Sequence, residues 1–563
     1  MSQQQPQMII HSGIVAAIGL DPTLDAAACQ GRPSAVAVHD GRILAVGGNE
    51  LLDLAGEATT LIDAQGGAIL PGINDGHLHF AASAVIRHEH LDLKTAASWD
   101  EVIDRLEAAQ ADDSGWIRAS GWDQAALGSE GIQRMFTAGG DTPVVAFDAS
   151  GHQVMINAAA LSVLELHVPA PVPGGVISRS ADGTPSGLFI DAAMRLVNDA
   201  LPGFSQAALR RAFTAHQHEL HALGLTSLTE PGLGPGGRTL MGAVCDEQAL
   251  KLMAQLSRDG ELSLRINVLL LFSGTGGESA AAVTAGLASE LPRTTRGIDP
   301  LKLRVAGVKV FADGIPRSGT AWFHDDYQLP CGHGHGALVL TGADDEAKVA
   351  EFRQIIAAID AAGLQAGVHV TGDAATEALI EAVEALPDAD RARANRHYII
   401  HGAFAENSLL ERLAAAGIGY STNPSIRAEA GALMQGLLGA ERFAAQQPLA
   451  SAAACGVDAS LASDAPVTSP DWRRSVVAAV TRDTTAGPGD GQPERLTLAQ
   501  ALAMMTQTPA RQDHAEEHKG KIQPGYLADV CILRDPLDAD VKNLITNPTS
   551  CTIVNGDVVY SAT

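Results

Sequence analysis

The sequence predicts an α/β protein built on a (β/α)8 barrel, and three observations carry that prediction. Eight short apolar or β-branched runs recur along the chain, most of them separated by Ala- and Leu-rich stretches with helical spacing. Several of the runs end in residues of one chemical kind, imidazole or carboxylate. In a barrel of eight βα units, the C-terminal strand ends meet at one mouth, so side chains from distant parts of the sequence can share a site. The first run closes on two histidines separated by one residue.

That first run extends from Gly66 through Ile69-Leu70-Pro71-Gly72-Ile73-Asn74-Asp75-Gly76 to His77-Leu78-His79. If it is a strand throughout, side chains repeat with period two and both imidazoles leave one face, able to grip one metal ion. The second and third runs are Gly224 to Thr229 and Leu264 to Phe272, and the fourth, Leu303 to Phe311, carries Lys309. The fifth, Leu364 to Val370, carries His369, and the sixth, Arg396 to Gly402, carries His401. Ile418 to Asn423 is the seventh, and Asp458 to Pro466, with Asp464, is the eighth. Asp345 to Ala362 and Glu377 to Ala385 are examples of the intervening helical stretches.

His77, His79, Lys309, His369, His401 and Asp464 therefore fall near the ends of strands one, four, five, six and eight. Imidazole nitrogens and a carboxylate suit a borderline divalent cation such as zinc, with open positions kept for water. An ammonium cannot ligate a cation. Burial beside other cations lowers a lysine pKa, however, and the neutral amine can react with carbon dioxide to give a carbamate, an anionic oxygen ligand.

Both ends of the sequence read as short strands and turns. Met8 to Ile10, Ser34 to Val38, Ile43 to Val46 and Thr59 to Asp63 are strand-like, with Asp40-Gly41 a hairpin signal. Ala528 to Leu533 and Ser550 to Val559, turning at Asn555-Gly556-Asp557, read alike and are expected to complete the same small sheet. The interval from Phe80 to Phe204 far exceeds barrel loop lengths, so it is read as an inserted subdomain. Trp122, Asp123 and His152 from that insert, and Arg317 after strand four, are the expected substrate-contacting residues. Clustered His216, His218 and His221 lie in a helical stretch and read as solvated or structural and not as a second site, and Gly332-His333-Gly334-His335-Gly336 reads as an exposed loop.

Composition narrows the partners. The chain has 563 residues, 46% of them hydrophobic, and 65 acidic against 38 basic residues give a formal net charge of -27. Such a balance argues against nucleic acid or anionic membrane as a partner and leaves a small-molecule substrate. Six cysteines without CxxC spacing are sparse for this length, which points to reduced thiols and a cytoplasmic setting. No basic segment precedes an apolar stretch near residue 1, and no apolar run is long enough to span, so neither a secretory signal nor a membrane anchor is expected. Oligomeric state stays open, a homodimer included.

The chain resembles the amidohydrolase superfamily, in the family-3 branch that includes YtcJ-like proteins and N-substituted formamide deformylases. The matching stretches include Asp40 to Gly47, Pro71 to His79, Gly121-Trp122-Asp123, Ser150-Gly151-His152, Val308-Lys309-Val310-Phe311-Ala312-Asp313-Gly314, His369 to Asp373, His401-Gly402, Ala462 to Pro466 and Gly525 to Asp529. The resemblance implies a small β-sandwich from residues 1–70 and 515–563, a metal-dependent barrel over 71–514 and the insert over 80–204. It also implies that His77 and His79 bind the more buried of one or two divalent ions, most simply zinc. Lys309, carboxylated or not, would contact the metal, His369 and His401 would complete the site, and Asp464 would be ligand and proton shuttle. Two departures stand out: Ile400 replaces a usual acidic residue before the strand-six histidine, and Val370-Thr371 replaces the commoner Ala-Ile.

The activity so implied is hydrolysis of a carbon–nitrogen bond other than a peptide bond, in an amide or N-substituted formamide. A cyclic amidase or deaminase of the same superfamily is the alternative within enzymes. A non-catalytic metal-binding scaffold is the alternative outside them.

Overall fold

The eight runs form one eight-stranded sheet in which each strand lies beside its successor in sequence. In order they are β1 (Ile73–Asp75), β2 (Leu225–Leu233), β3 (Arg265–Leu270), β4 (Leu303–Phe311), β5 (Gln365–Val370), β6 (Tyr398–His401), β7 (Gly419–Thr422) and β8 (Ala459–Leu461). Strand pairing is parallel, with helices such as Asp345–Ala361, Asp373–Glu384, Asn407–Ala416 and Trp472–Thr481 between and after the strands. This computed structural model describes residues 5–27, 32–128, 130–149, 151, 153–166, 172, 175–180, 183–191, 193–240, 245–328, 334–489 and 493–562. The chain divides into two compact units: residues 1–79, 217–232 and 254–563, and residues 80–216 and 233–253.

In the first unit the barrel is nearly closed. The amides of Asn74 in β1 and Leu461 in β8 donate to the carbonyls of Met505 and Met504, so this segment spaces the two edge strands. Beyond the strand ends the edges meet directly: Asp464 N–H donates to the His77 carbonyl at 2.9 Å and His79 N–H to the Ala465 carbonyl at 3.0 Å.

The first run does not stay one strand. Gly72 breaks it where a Cβ would lie 2.2 Å from Thr226 Oγ1. Ala68–Pro71, before the break, pairs antiparallel with Val530–Leu533, and only Ile73–Asp75 joins the barrel. The two sequence ends likewise form two sheets instead of the one expected. Met8–His11, Ala35–His39, Arg42–Gly47 and Thr60–Asp63 make a four-stranded sheet. Ile14–Val15, Ala68–Pro71, Val530–Leu533, Thr549–Val554 and Asp557–Ser561 make a five-stranded one. Ile10, Val36 and Val38 from the first share a core with Ile69, Val530, Ile532 and Ile553 from the second, the packing of a β-sandwich. The hairpin signals hold: Asp40-Gly41 and Asn555-Gly556 both take positive φ at their two central residues, as a tight primed turn requires.

Inside the barrel, Leu269, Ala306, Tyr398 and Ile400 form a buried apolar cluster. Gly367 leaves room for it, since a Cβ there would lie 2.4 Å from Leu269 and 2.9 Å from the Tyr398 hydroxyl. Above Ala306 the register of β4 slips: Val268 pairs with Val305, but Leu269 pairs with Gly307. This bulge reverses the alternation of the strand, so that Ala306 and Lys309, three apart, both face inward.

The second unit holds a six-stranded sheet ordered Gly175–Arg179, Pro185–Asp191, Gln153–Ile156, Val144–Asp148, Ile117–Trp122, Leu91–Asp92. Alternate residues feed two cores, Val144 and Ala146 with Trp99, Val102 and Ile117 in one, Val145 and Phe147 with Trp116, Val154 and Ile156 in the other. Among the described residues of the chain no helix is long and apolar enough to cross a membrane.

Candidate metal centre

His77 and His79 lie beyond the end of β1, so the expected strand does not present them. What preserves the period of two is bonding on alternating sides: His77 O and His79 N–H bond toward β8, while Leu78 N–H donates to Thr229 of β2 at 2.9 Å. The two imidazoles therefore face one way. Their Nε2 atoms stand 3.2 and 3.3 Å from the same oxygen, Oδ1 of Asp464. Ligand atoms of His77, His401 and Asp464 all lie within 4.8 Å of one another.

Asp464 and His401 both adopt left-handed backbone, at φ 57° and 74°. For residues other than glycine this is a strained region that persists where the surroundings enforce it. At His401 it has a clear effect. Ile400 faces the interior cluster, so plain alternation would turn the next side chain outward, and the positive φ brings the imidazole back over the mouth. His369 packs its ring 4.6 Å from that of His401 and 5.0 Å from that of Phe311, with Nε2 on the Gly314 carbonyl at 3.2 Å. Lys309 is 1% exposed, its Nζ 4.7 Å from the centre of the Phe311 ring.

Burial governs the protonation states. It pushes the His77 and His369 imidazoles well below their ordinary range and His401 down to about 4, with the Lys309 charge adding to each effect. Lys309 itself is brought down to about 7 by burial, against the pull of Asp464. Burial would raise Asp464, but bonds from the His77 and His79 rings outweigh it and hold the carboxyl well below the usual carboxylate range. Neutral imidazoles and an ionised carboxylate are the forms that ligate a cation. His77 Nδ1 and His79 Nδ1 are buried without hydrogen-bond partners, so the donor set present fits a borderline divalent ion.

Further residues complete the surroundings. β2 runs four residues past its expected end, through Pro231, and brings the fully buried Glu230 to 4.0 Å from His79 Nδ1. Asp75 accepts the amides of His77 and Ser463, and burial raises its carboxyl to about 7. Asp313 accepts the amides of Trp322, Thr371 and Gly372, tying the segment after β4 to the end of β5. Asn423 Oδ1 lies 2.7 Å from His401 Nδ1. A lone acid ahead of proline in an apolar run, or the Asp-Gly after Phe311, could have signalled the first and third.

The expected substrate-contacting residues fare differently. Trp122 is fully buried, and its indole N–H donates to the Ala146 carbonyl at 3.0 Å. The cause is the register shift opposite Phe147 and Asp148, with Gly121 at φ 97°, which turns Trp122 onto the core face of its sheet. Its role is packing. Asp123 is exposed just past the end of the same strand, Arg317 is exposed on the turn Pro316–Ser318, and His152 lies outside the described residues. Of the other histidines, His221 bonds Leu225 O and Ser263 Oγ, a structural role, and His216 is buried; His333 lies outside the described residues.

Comparison with known proteins agrees with this architecture. The amidohydrolase family model matches residues 60–560. The Bacillus subtilis protein YtcJ is 27% identical over 546 residues, covering 94% of this chain and 96% of its own. An N-substituted formamide deformylase from Arthrobacter pascens is 25% identical, with all of both chains covered. The crystal structure of an uncharacterized metal-dependent hydrolase from Pyrococcus furiosus superposes with a TM-score of 0.72 at 22% identity, covering 94% of this chain and 100% of that one.

Proposed function

This chain belongs to the amidohydrolase family, and from that premise we propose that it hydrolyses a carbon–nitrogen bond other than a peptide bond, in an amide or N-substituted formamide. The observation that carries the reading is the pair of imidazoles converging on one oxygen of Asp464, with His401 beside them. The likeness to an N-substituted formamide deformylase along the whole chain supports the substrate class.

His77, His79, His369, His401 and Asp464 would hold the divalent ion, with Lys309 contributing as a carbamate. Imidazole and carboxylate donors favour zinc. Such an ion, when bound, supplies Lewis acidity that polarises a carbonyl and lowers the pKa of water. The remaining work falls to the chain. Both histidines engage Oδ1 of Asp464, which leaves Oδ2 to take the proton of the attacking water and pass it to the departing nitrogen. Because the carboxyl is held ionised, it is ready to accept that proton. Burial keeps His77, His369 and His401 neutral, so they do not compete as proton donors.

The test is hydrolysis of a panel of N-formyl amines and aryl amides by chelator-treated protein and by the same protein reloaded with zinc. Release of amine and acid only after reloading is the expected result. Ammonia as the sole nitrogen product would transfer the assignment to deamination, and bound metal without any hydrolysis would overturn it.

A further inference from the structure

Asn423 follows β7 and occupies the N-cap of the helix Pro424–Ala444. Asparagine is among the strongest N-cap residues because its side-chain oxygen accepts a backbone N–H of the first turn. Here the side chain makes no capping bond. Both ends of its amide are committed elsewhere: Nδ2 donates to the Ala462 carbonyl at 3.2 Å, and Oδ1 lies 2.7 Å from His401 Nδ1. The opposite orientation of the amide would set Oδ1 against the Ala462 carbonyl, two acceptors face to face. With Nδ2 spent on that carbonyl, Oδ1 only accepts, so the hydrogen between it and the ring belongs to His401 Nδ1.

We propose that Asn423 is a positioning residue that holds His401 in the Nδ1–H tautomer, leaves its Nε2 lone pair for the metal centre, and couples that orientation to the segment bearing Asp464. Ala462, its other partner, is two residues from Asp464 and receives support from the same strand end, donating its N–H to the Thr422 carbonyl at 2.8 Å. The residue is 1% exposed, so no bulk water substitutes for either bond. Its backbone is clamped as well. Gln447 Nε2 donates to the Asn423 carbonyl at 2.9 Å, and Arg482 in turn donates to the carbonyls of Gln446 and Gln447 at 2.6 and 3.0 Å. An N-cap that forgoes its cap to hold an imidazole follows the logic of residues that orient metal-binding histidines from behind.

The inference rests on the metal-centre reading above, and two readouts separate the two. Ring nitrogen-15 signals of His401, assigned by their loss in His401→Gln, report the tautomer in metal-free protein. Zinc affinity, measured by competition with a chromophoric chelator, reports the consequence. Wild-type protein is expected to show Nδ1 protonated and Nε2 bare. Asn423→Leu is expected to mix the tautomers and weaken zinc binding by ~10–100-fold, and Asn423→Asp, which keeps Oδ1, to restore the signal and most of the affinity. A wild-type ring protonated on Nε2 would overturn the proposal whether or not the variants fold. So would a folded Asn423→Leu with unchanged ring signals and unchanged zinc affinity. Wild-type protein that binds no zinc, yet loses the Nδ1–H tautomer on Asn423→Leu, would sink the metal-centre reading and leave the role of Asn423 standing.

Discussion

The carboxylate of Asp75 receives the backbone N–H of Ser463 at 3.2 Å, joining residues 388 positions apart. The same carboxylate takes the N–H of His77 at 3.1 Å, so the segments bearing His77, His79 and Asp464 hang from one buried group. Removing it should displace both together. Asp75→Ala is expected to lower zinc affinity by ~10–100-fold, with Asp75→Asn, which keeps one acceptor oxygen, losing less. Elemental analysis after dialysis against graded zinc measures the difference, and unchanged metal content in Asp75→Ala would show that the direct backbone bonds between the two segments hold them without Asp75.

Lys309 belongs among metal ligands only as an anion. Lys309→Ala is expected to lose both metal and turnover, and short carboxylic acids added in solution should restore part of each by filling the vacated oxygen position. Metals located crystallographically in a wild-type protein whose Lys309 remains an unmodified amine, turned from the site, would refute the carbamate.

Asp464→Asn keeps the size of the side chain and one candidate ligand oxygen while removing the proton acceptor. General acid–base assistance is typically worth ~10²–10⁴-fold, and a loss of that order in kcat is expected with KM little changed. The loss should be larger for alkylamine leaving groups, which need the proton more, than for aniline-type ones. Equal losses across that series would mean that Asp464 does not protonate the leaving nitrogen.

In the second unit, His90 lies between the rings of Phe147 and Phe204 at 6.0 and 6.1 Å, and neither ring nitrogen has a hydrogen-bond partner. Burial, with Arg118 adding to it, pushes its pKa from 6.5 down to about 3. Between those values the unfolded chain binds a proton that the folded chain refuses, so stability falls as pH drops below 6.5, by up to about 1.4 kcal/mol per unit. His90→Leu should flatten this slope between pH 4 and 6.5 and leave stability at pH 8 nearly unchanged. Urea titrations of both proteins across that range make the comparison, and parallel slopes would show that His90 is not the source.

The barrel was legible because its strands are short apolar runs bounded by glycine and helical spacing, and the limits of β4 coincide with the expected Leu303 to Phe311. The candidate ligands were legible because few residue types ligate, and they stood at strand ends. What escaped depends on contacts that no local pattern encodes. Nothing in Ala306-Gly307 announces a bulge, yet the bulge aims Lys309. Pro231 reads as a strand terminator, so Glu230 was left beyond the expected end of β2. Asn423 reads as a helix cap, and only the placement of His401 and Ala462 shows where its amide goes. Trp122 misled because a glycine-rich motif with an aromatic residue looks like a pocket, whereas the register shift beside Gly121 turns it into core.

The sandwich sets a schedule for synthesis. Arg42 bonds the carbonyl of Gly525, 483 residues later, and the five-stranded sheet takes three of its strands from beyond residue 529. At typical ribosomal speeds of about 5–20 residues per second, the earlier strands wait on the order of 25–100 s for partners. During that time Ile69 and Leu70, both fully buried in the finished fold, have only the two-residue strand Ile14–Val15 beside them in their sheet. Their run continues into β1, so the barrel edge that carries His77 and His79 is anchored on its near side only once Val530–Leu533 has been synthesised. A nascent chain stalled before residue 530 would therefore expose an unpaired, apolar edge, the kind of surface on which chaperones act and aggregation begins.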